Sequence, residues 1–307
     1  MKVKRYLPTL IKGYAGASFE HELIRDIGRS YIFIKHNRIS LAAILFSIYH
    51  EKTFITIKYL IKILLQIRQL SIIKCRKVIV ATDHNSAGYF HWYLDVLTRL
   101  TLLEEYKEYT LLLPKNYNKN TYIIESLDFM GFNYNFVDGG SILLKADVIT
   151  AIFEYPSGNY NPEIVKGLRN KLYIQKDIPN RLVYISRAKA QRRRMISEEN
   201  FTEKLIKLGF EVIYCENLSF YETRSLFSSV RILIAQHGAG LTNMLFMQPK
   251  ATVIEIRKLG DEHNNCYFSL ASALDINYEY CTTKEMGGHN DYDNFDYENL
   301  IKHLKNK

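Results

Sequence analysis

The stretch ILIAQHGAGLTNMLF, residues 232–246, decides how the rest of the chain is read. It opens as an apolar run of strand type, passes through His237, Gly238, Ala239 and Gly240, and resumes at Leu241 with an apolar pattern suited to a helix. A strand that ends in glycines and opens a helix leaves unpaired backbone N–H groups at a helix N-terminus, where an anion is favoured. The same His-Gly joint also serves as a plain structural turn. Its meaning therefore rests on its surroundings.

Outward from this stretch the chain alternates strand and helix. Downstream come the strand TVIEI (252–256), a helix near Cys266 to Leu274, the strand INYEYCT and a closing helix near Asn294 to Leu304. Upstream, RLVYISR (181–187) is a strand, and Glu198 to Leu208 is a helix that Gly209 can terminate. FEVIYCE follows as a strand, and Ser219 caps the helix that runs to Phe227. The segment from Tyr155 to Asn180 holds Pro156, Gly158, Pro162, Gly167 and Pro179, which marks a linker around a helix near Pro162 to Lys171. Before it lies a second series: the strand RKVIVATD (76–83), the helix GYFHWYLDVLTRLTLLEEY (88–106), the strand YTLLL (109–113), a helix from Thr121 to Met130, and strands in NYNFVD and ADVITAIFE. This alternation predicts an α/β protein with parallel sheets covered on both faces. The expected organisation is a mainly helical segment over 1–76, Rossmann-like domains over 77–155 and 181–307, and a linker over 156–180. Two such domains would face each other across a cleft, with ligands outside the carboxyl ends of the strands.

Residues 1–76 read differently. The run from Leu41 to Ile73 has helical character and mixes Ile and Leu with Lys52, Lys58, Lys62 and Arg68. A basic amphipathic helix of this kind fits an anionic membrane surface, and equally a helix pair packed on the next domain. The chain as a whole has 307 residues, 47% hydrophobic and 13% aromatic, which describes a globular protein. Its net charge of +9 favours anionic partners such as nucleotides, nucleic acid or an acidic membrane. Cys75, Cys215, Cys266 and Cys281 are widely spaced with no metal-ligand pattern, as in a reduced cytoplasmic protein. Lys12 interrupts the apolar part of the N-terminus, and no run of roughly 18 apolar residues occurs, so neither a signal peptide nor a spanning helix is expected.

The residues able to carry chemistry fall at strand ends. Arg187 closes RLVYISR, and Lys189, Arg192, Arg193 and Arg194 follow it, a cluster suited to diphosphate oxygens or to a solvated loop. Glu255 lies in an otherwise apolar strand, where a carboxylate can accept both ribose hydroxyls or pair with Arg257 or Arg187. His91 and Asp95 share a helix face, with Arg99 four residues on, and either of the first two could take a proton from an acceptor hydroxyl. Trp92 could stack on a sugar or fill the core; Asp83 and His84 end the preceding strand. Asp291 and Asp293 have a D-x-D spacing that could hold a divalent metal, or simply favour the N-terminus of the last helix.

Three blocks, YISRAKAQRRRMISEEN, the run GFEVIYCENLSFYETRSLFSSVRILIAQHGAGLTNMLFMQP, and VIEI, resemble glycosyltransferase family 61, and FHWYLDVLTRL is similar to that family's HW-x-x-D-x-x-x-R-L signature. The matches span roughly residues 85–282, in the family's order and spacing. The resemblance implies a GT-B fold of two Rossmann-like domains, an inverting mechanism and no required metal or cofactor. Arg187, Arg193, the turn His237, Gly238, Ala239 and Gly240, Asn243 and Glu255 would hold a nucleotide-sugar donor. His91 and Asp95 would face the acceptor as the catalytic pair, with Asp95 expected as the base and His91 as its orienting partner or the base itself, and Trp92 and Arg99 on the acceptor side. Where the family reads N-E after the arginines, this chain has Ser197-Glu198, and a serine can still cap the helix. The implied acceptor is a saccharide or lipid-linked saccharide for a surface or capsular polysaccharide, met in the cytoplasm at the inner face of the membrane through a peripheral contact, with no nucleic acid partner. Two other readings remain: a basic nucleic-acid or membrane-surface binding protein, and a metal-dependent GT-A transferase using Asp291 and Asp293.

Overall fold

The computed structural model describes residues 4–5, 24–35, 38–40, 71–73, 75–83, 85–137, 141–151, 157–174, 178–190, 193–196, 198–259, 265–283, 295 and 297–306. The chain divides into a first unit, Glu20–Glu154, and a second unit made of Met1–Phe19 and Tyr155–Lys307. Strand β1 (Lys4–Arg5) belongs to the second unit and β2 (Ile24–Lys35) to the first.

The first unit is built on one sheet. Its strands are β2, β3 (Arg38–Ser40), β4 (Ser71–Ile73), β5 (Lys77–Ile79), β6 (Thr110–Pro114), β7 (Asn133–Val137) and β8 (Ser141–Ala151), in the order β3-β2-β8-β5-β6-β7 with β4 also on β8. The pairs β5/β6, β6/β7 and β5/β8 are parallel, as the alternating pattern predicts. The pairs β2/β3 and β2/β8 are antiparallel. The sheet is therefore mixed rather than purely parallel, with the antiparallel strands β2 and β3 added at the β8 edge of the parallel set. The described residues of the segment expected to be mainly helical, 1–76, include the strands β1 to β4. The basic helix expected over 41–73 otherwise lies outside the described residues.

Helical cover in this unit comes from α1 (Tyr89–His91), a π-helical turn Trp92–Val96, α2 (Leu97–Leu102) and α3 (Thr121–Met130). The predicted single helix over 88–106 is thus interrupted by a π turn. Leu97 donates its backbone N–H to the Trp92 carbonyl, five residues back. Thr98 Oγ1 lies 2.7 Å from the Leu94 carbonyl and 3.0 Å from that of Asp95, supplying a donor to acceptors that the wider turn leaves underused.

The second unit holds a sheet ordered β1-β13-β12-β11-β9-β10, from β9 (Arg181–Ile185), β10 (Phe210–Ile213), β11 (Val230–Gln236), β12 (Thr252–Arg257) and β13 (Asn277–Thr282). All its pairs are parallel except β1/β13. Numbered from β9, the parallel strands run 2-1-3-4-5, so the chain reverses its direction of travel between β9 and β11. In such sheets the carboxyl ends of the two strands at a reversal are the usual ligand position.

Helices α4 (Pro162–Leu172), α5 (Glu198–Lys207), α6 (Phe220–Phe227), α7 (Cys266–Ala273) and α8 (Glu298–Leu304) flank this sheet. Local chemistry explains their limits. Ser219 forms a reciprocal capping box with Glu222 at the start of α6, and Gly209 supplies the left-handed residue after α5. One core layer packs Phe201 and Leu205 of α5 and Leu300, Ile301 and Leu304 of α8 against Tyr184, Ile234, Ile254 and Ile256 of the sheet.

The expected linker 156–180 is largely part of this unit, because α4 is tied down at both a side chain and its end. The buried Arg169 donates to the Leu274 carbonyl at 2.9 Å, just past α7, and the buried Arg224 of α6 donates to the Leu172 carbonyl at 2.6 Å. Both cations satisfy carbonyls that helix ends leave unpaired. Replacing Arg169 by Met should cost about 1.5–3 kcal/mol, because a buried carbonyl loses a charged donor. Replacing Arg181, whose ion pair with Glu211 is exposed, should cost less than about 1 kcal/mol. Urea unfolding of the two variants checks the contrast.

Candidate active site

The motif that opens the sequence reading sits at the β9/β11 reversal. Strand β11 is buried along nearly its whole length, and the His237 N–H extends its ladder by donating to the Ile256 carbonyl at 2.9 Å. Gly238 follows with φ 166°, an extended backbone that any residue adopts. Its need for glycine comes from a side chain: a Cβ there would lie 2.4 Å from Arg187 Nη1 and 3.0 Å from Cζ. A 3-10 helix, Ala239–Phe246, then takes the place of the expected α-helix, with Leu241 N–H bonded to the Gly238 carbonyl at 3.0 Å.

Arg187 and Arg193 converge on this turn. Arg187 Nε donates to the Arg193 carbonyl at 3.3 Å, and Arg193 Nη1 donates to the His237 carbonyl at 3.4 Å. Arg193 itself has φ 60°, a strained setting for a side-chain-bearing residue. Lys189 turns instead to the Tyr214 ring, 4.6 Å away. Arg192 and Ser197 lie outside the described residues. Two guanidinium groups thus lie beside the start of a 3-10 helix, a combination whose chemistry suits a doubly charged anion.

Two residues expected to touch the donor are placed otherwise. Glu255 is buried, and both its oxygens are engaged: Oε1 by His237 Nδ1 and Oε2 by the Tyr278 hydroxyl. It therefore holds His237 and does not present a free carboxylate to a ribose. Asn243 is fully buried, with Nδ2 3.5 Å from Cys215 Sγ. Burial pushes the Cys215 thiol up to about 12, which keeps it protonated and unreactive.

A second acid, named in the sequence only as part of Ser197-Glu198 and given no role there, supports the arginine loop. Glu198, the first residue of α5, is buried and accepts from Ser186 Oγ at 2.8 Å and from the Tyr184 hydroxyl. Ser186 Oγ in turn accepts the Ala188 N–H at 3.1 Å. Glu198 thus fixes the loop that carries Arg187. Burial first, and then the Glu198 charge, push the Tyr184 hydroxyl well above the ordinary tyrosine range. The available signal was an acid at a helix start one turn beyond an arginine cluster.

The first unit brings His91 and Asp95 together. His91 Nδ1 lies 2.7 Å from Asp95 Oδ2, with the histidine side chain 30% exposed and the aspartate 8%. The carboxylate is the inner member and the imidazole the accessible one. Trp92 is fully buried, with Nε1 donating to Ser126 Oγ at 2.9 Å, so it fills the core and is not a stacking surface. Arg99 Nη1 donates to the Ala81 carbonyl at 2.8 Å and lies 3.4 Å from Asp83 Oδ2, bracing the segment after β5. Burial alone would raise the Asp83 carboxyl, but the Asn85 N–H, the Ser86 hydroxyl and Arg99 together hold it below the usual range. His84, Asp291 and Asp293 lie outside the described residues.

A family profile described as Glycosyltransferase 61 matches residues 89–254, which include both the His91–Asp95 pair and the His237 turn. The beta-1,2-xylosyltransferase XAX1 of Oryza sativa subsp. japonica is 30% identical over 146 residues, 43% of this chain and 25% of that protein. The alpha-1,3-arabinosyltransferase XAT3 of the same plant is 31% identical over 132 residues, 40% of this chain and 19% of that protein. The EGF domain-specific O-linked N-acetylglucosamine transferase of Drosophila melanogaster is 31% identical over 101 residues, 32% of this chain and 19% of that protein. The chain thus spans a quarter or less of the length of these relatives.

Two outcomes test this geometry. Gly238→Ala should fold normally yet displace the Arg187 guanidinium, weakening inorganic diphosphate binding by about 10- to 100-fold, the loss of one charge-assisted contact; calorimetry reads it. Tyr117 and Tyr122 beside the His91 segment are pushed up to about 12, first by burial. Their folded values lie above the ordinary 10.0, so the native state holds more protons there. Their contribution is complete below pH 10 and is lost as pH rises toward about 12. Unfolding midpoints measured across that alkaline window should fall, and less steeply in Tyr122→Phe.

Proposed function

The chain belongs to the Glycosyltransferase 61 family, and from that premise we propose that it transfers a sugar from a nucleotide-sugar donor to a saccharide acceptor. The observation that carries this reading is the convergence of Arg187 and Arg193 on the His237–Gly238 turn at the β9/β11 reversal. A departing nucleoside diphosphate needs its growing negative charge met by fixed donors, and preorganised guanidinium groups meet it without reorganising.

On this reading the reaction is an inverting, metal-independent displacement in the GT-B manner, with the donor held by the second unit and the acceptor served by the first. The acceptor oxygen bonds to the anomeric carbon as the bond from that carbon to the diphosphate oxygen breaks. The acceptor proton passes to a base. The 2.7 Å contact between His91 Nδ1 and Asp95 supports His91 as that base, acting through Nε2, with Asp95 orienting the ring. The setting we propose is the cytoplasm near the inner face of the membrane, with a saccharide or lipid-linked saccharide acceptor of a surface polysaccharide. The net charge of +9 is compatible with such an anionic environment.

Nucleoside diphosphates and nucleotide sugars should raise the melting temperature of the wild type and not of Arg187→Ala; a panel that leaves the wild type unmoved would end the donor-site reading. His91→Ala should lower transfer by about 10²- to 10⁴-fold while sparing donor binding. Asp95→Asn should follow it in direction. Full transfer in both would remove the base assignment.

A further inference from the structure

The donor-side turn is backed by a buried chain of hydrogen bonds that donor recognition alone does not require. It starts at His237, whose Nδ1 meets Glu255 Oε1. It continues from Glu255 Oε2 to the Tyr278 hydroxyl, which Arg257 also hydrogen-bonds. It ends at Asn265, whose Oδ1 accepts from Arg257 Nη1 at 2.9 Å. His237, Glu255, Arg257 and Tyr278 are all buried, and they join the end of β11 to β12 and β13.

We propose that Tyr278 and Arg257 are positioning residues that act through Glu255 to fix His237 as its Nδ1–H tautomer, so that Nε2 is the nitrogen turned to the donor's diphosphate. The ligand named here rests on the donor-site reading above; the tautomer relay does not.

The argument is one of donors and acceptors. An ionised carboxylate only accepts, so the proton in the His237–Glu255 contact sits on Nδ1. One oxygen of Glu255 is occupied by the Tyr278 donor, which leaves the other to face the imidazole alone. The Tyr278 hydroxyl is pushed well above the tyrosine range by burial and then by the Glu255 charge, and so remains a donor. From outside the relay, the Tyr267 ring of α7 lies edge-on to His237 with centroids 5.1 Å apart, and Arg193 reaches the His237 carbonyl. The ring is thus held by its neighbours on β12 and α7, and its backbone by the loop after β9. Glu255 is 1% exposed, and an apolar side chain would fill such a position at less cost than a carboxylate. What the acid adds is a fixed orientation for one ring nitrogen, the arrangement by which histidines are set up to act on a ligand.

The test uses the full chain labelled with nitrogen-15 histidine, with His237 identified by the signals lost in His237→Gln. Long-range nitrogen–proton spectra should show a single Nδ1–H tautomer in the wild type. Glu255→Gln, whose amide can donate as well as accept, should give a mixture of tautomers, and Tyr278→Phe, which keeps the ring, a smaller shift in the same direction. A wild-type His237 protonated on Nε2, or one unchanged tautomer in both variants, overturns the relay. If Tyr278→Phe fails to fold, the wild-type and Glu255→Gln spectra decide alone. Inorganic diphosphate is then added: a displaced Nε2 resonance in the wild type and none in Arg187→Ala supports the ligand assignment. An unmoved Nε2 beside the expected tautomer pattern overturns the donor-site reading and leaves the relay standing.

Discussion

A carboxylate inside a sheet that is covered on both faces survives only with partners, and Glu255 draws its partners from the flanking strands. His237 comes from the strand before it and Tyr278 from the strand after it, so the three strands must be in register for the acid to be satisfied. The register is therefore more than a packing outcome. A slip of one residue would turn Glu255 to the other face, away from both donors. The position of the His237 turn, and with it the backbone that Arg187 and Arg193 grip, depends on this interaction.

Much of the architecture was legible from the residues. Strands β9 to β13 and helices α5 to α8 fall close to the segments that hydrophobic period and glycine punctuation mark, because each is a local pattern that a parallel sheet demands. What local pattern could not supply was pairing. Glu255 and Tyr278 are 23 residues apart in the chain and touch only across two strands, so local pattern left Glu255 open between a ribose and a protein partner, and the structure gives it His237 and Tyr278. Asn243 and Trp92 show a related limit. Residue type shows what a side chain can bond, but burial decides whether that bond is made to a ligand or to Cys215 and Ser126. Glu198 was overlooked because its partners, Tyr184 and Ser186, lie on a neighbouring strand and the residue just past it.

The helix carrying His91 and Asp95 shows a different limit. A four-residue spacing puts two side chains on one face whether the turn is α or π, so the pair was visible while the π turn was not. Thr98 supplies a hydroxyl to two carbonyls of that turn, a local fit that periodicity does not record. Buried bracing recurs in both units: Arg99 steadies the segment after β5 and Glu198 the loop after β9.

The tie between Arg169 and the Leu274 carbonyl spans 105 residues. At ordinary elongation rates of about 5–20 residues per second, the partner carbonyl leaves the ribosome roughly 5–20 s after the arginine. For that interval α4 carries Ile164, Val165, Leu168 and Leu172 without the helix that later covers them. The nascent second unit is thus obliged to keep an apolar helix soluble until α7 is made.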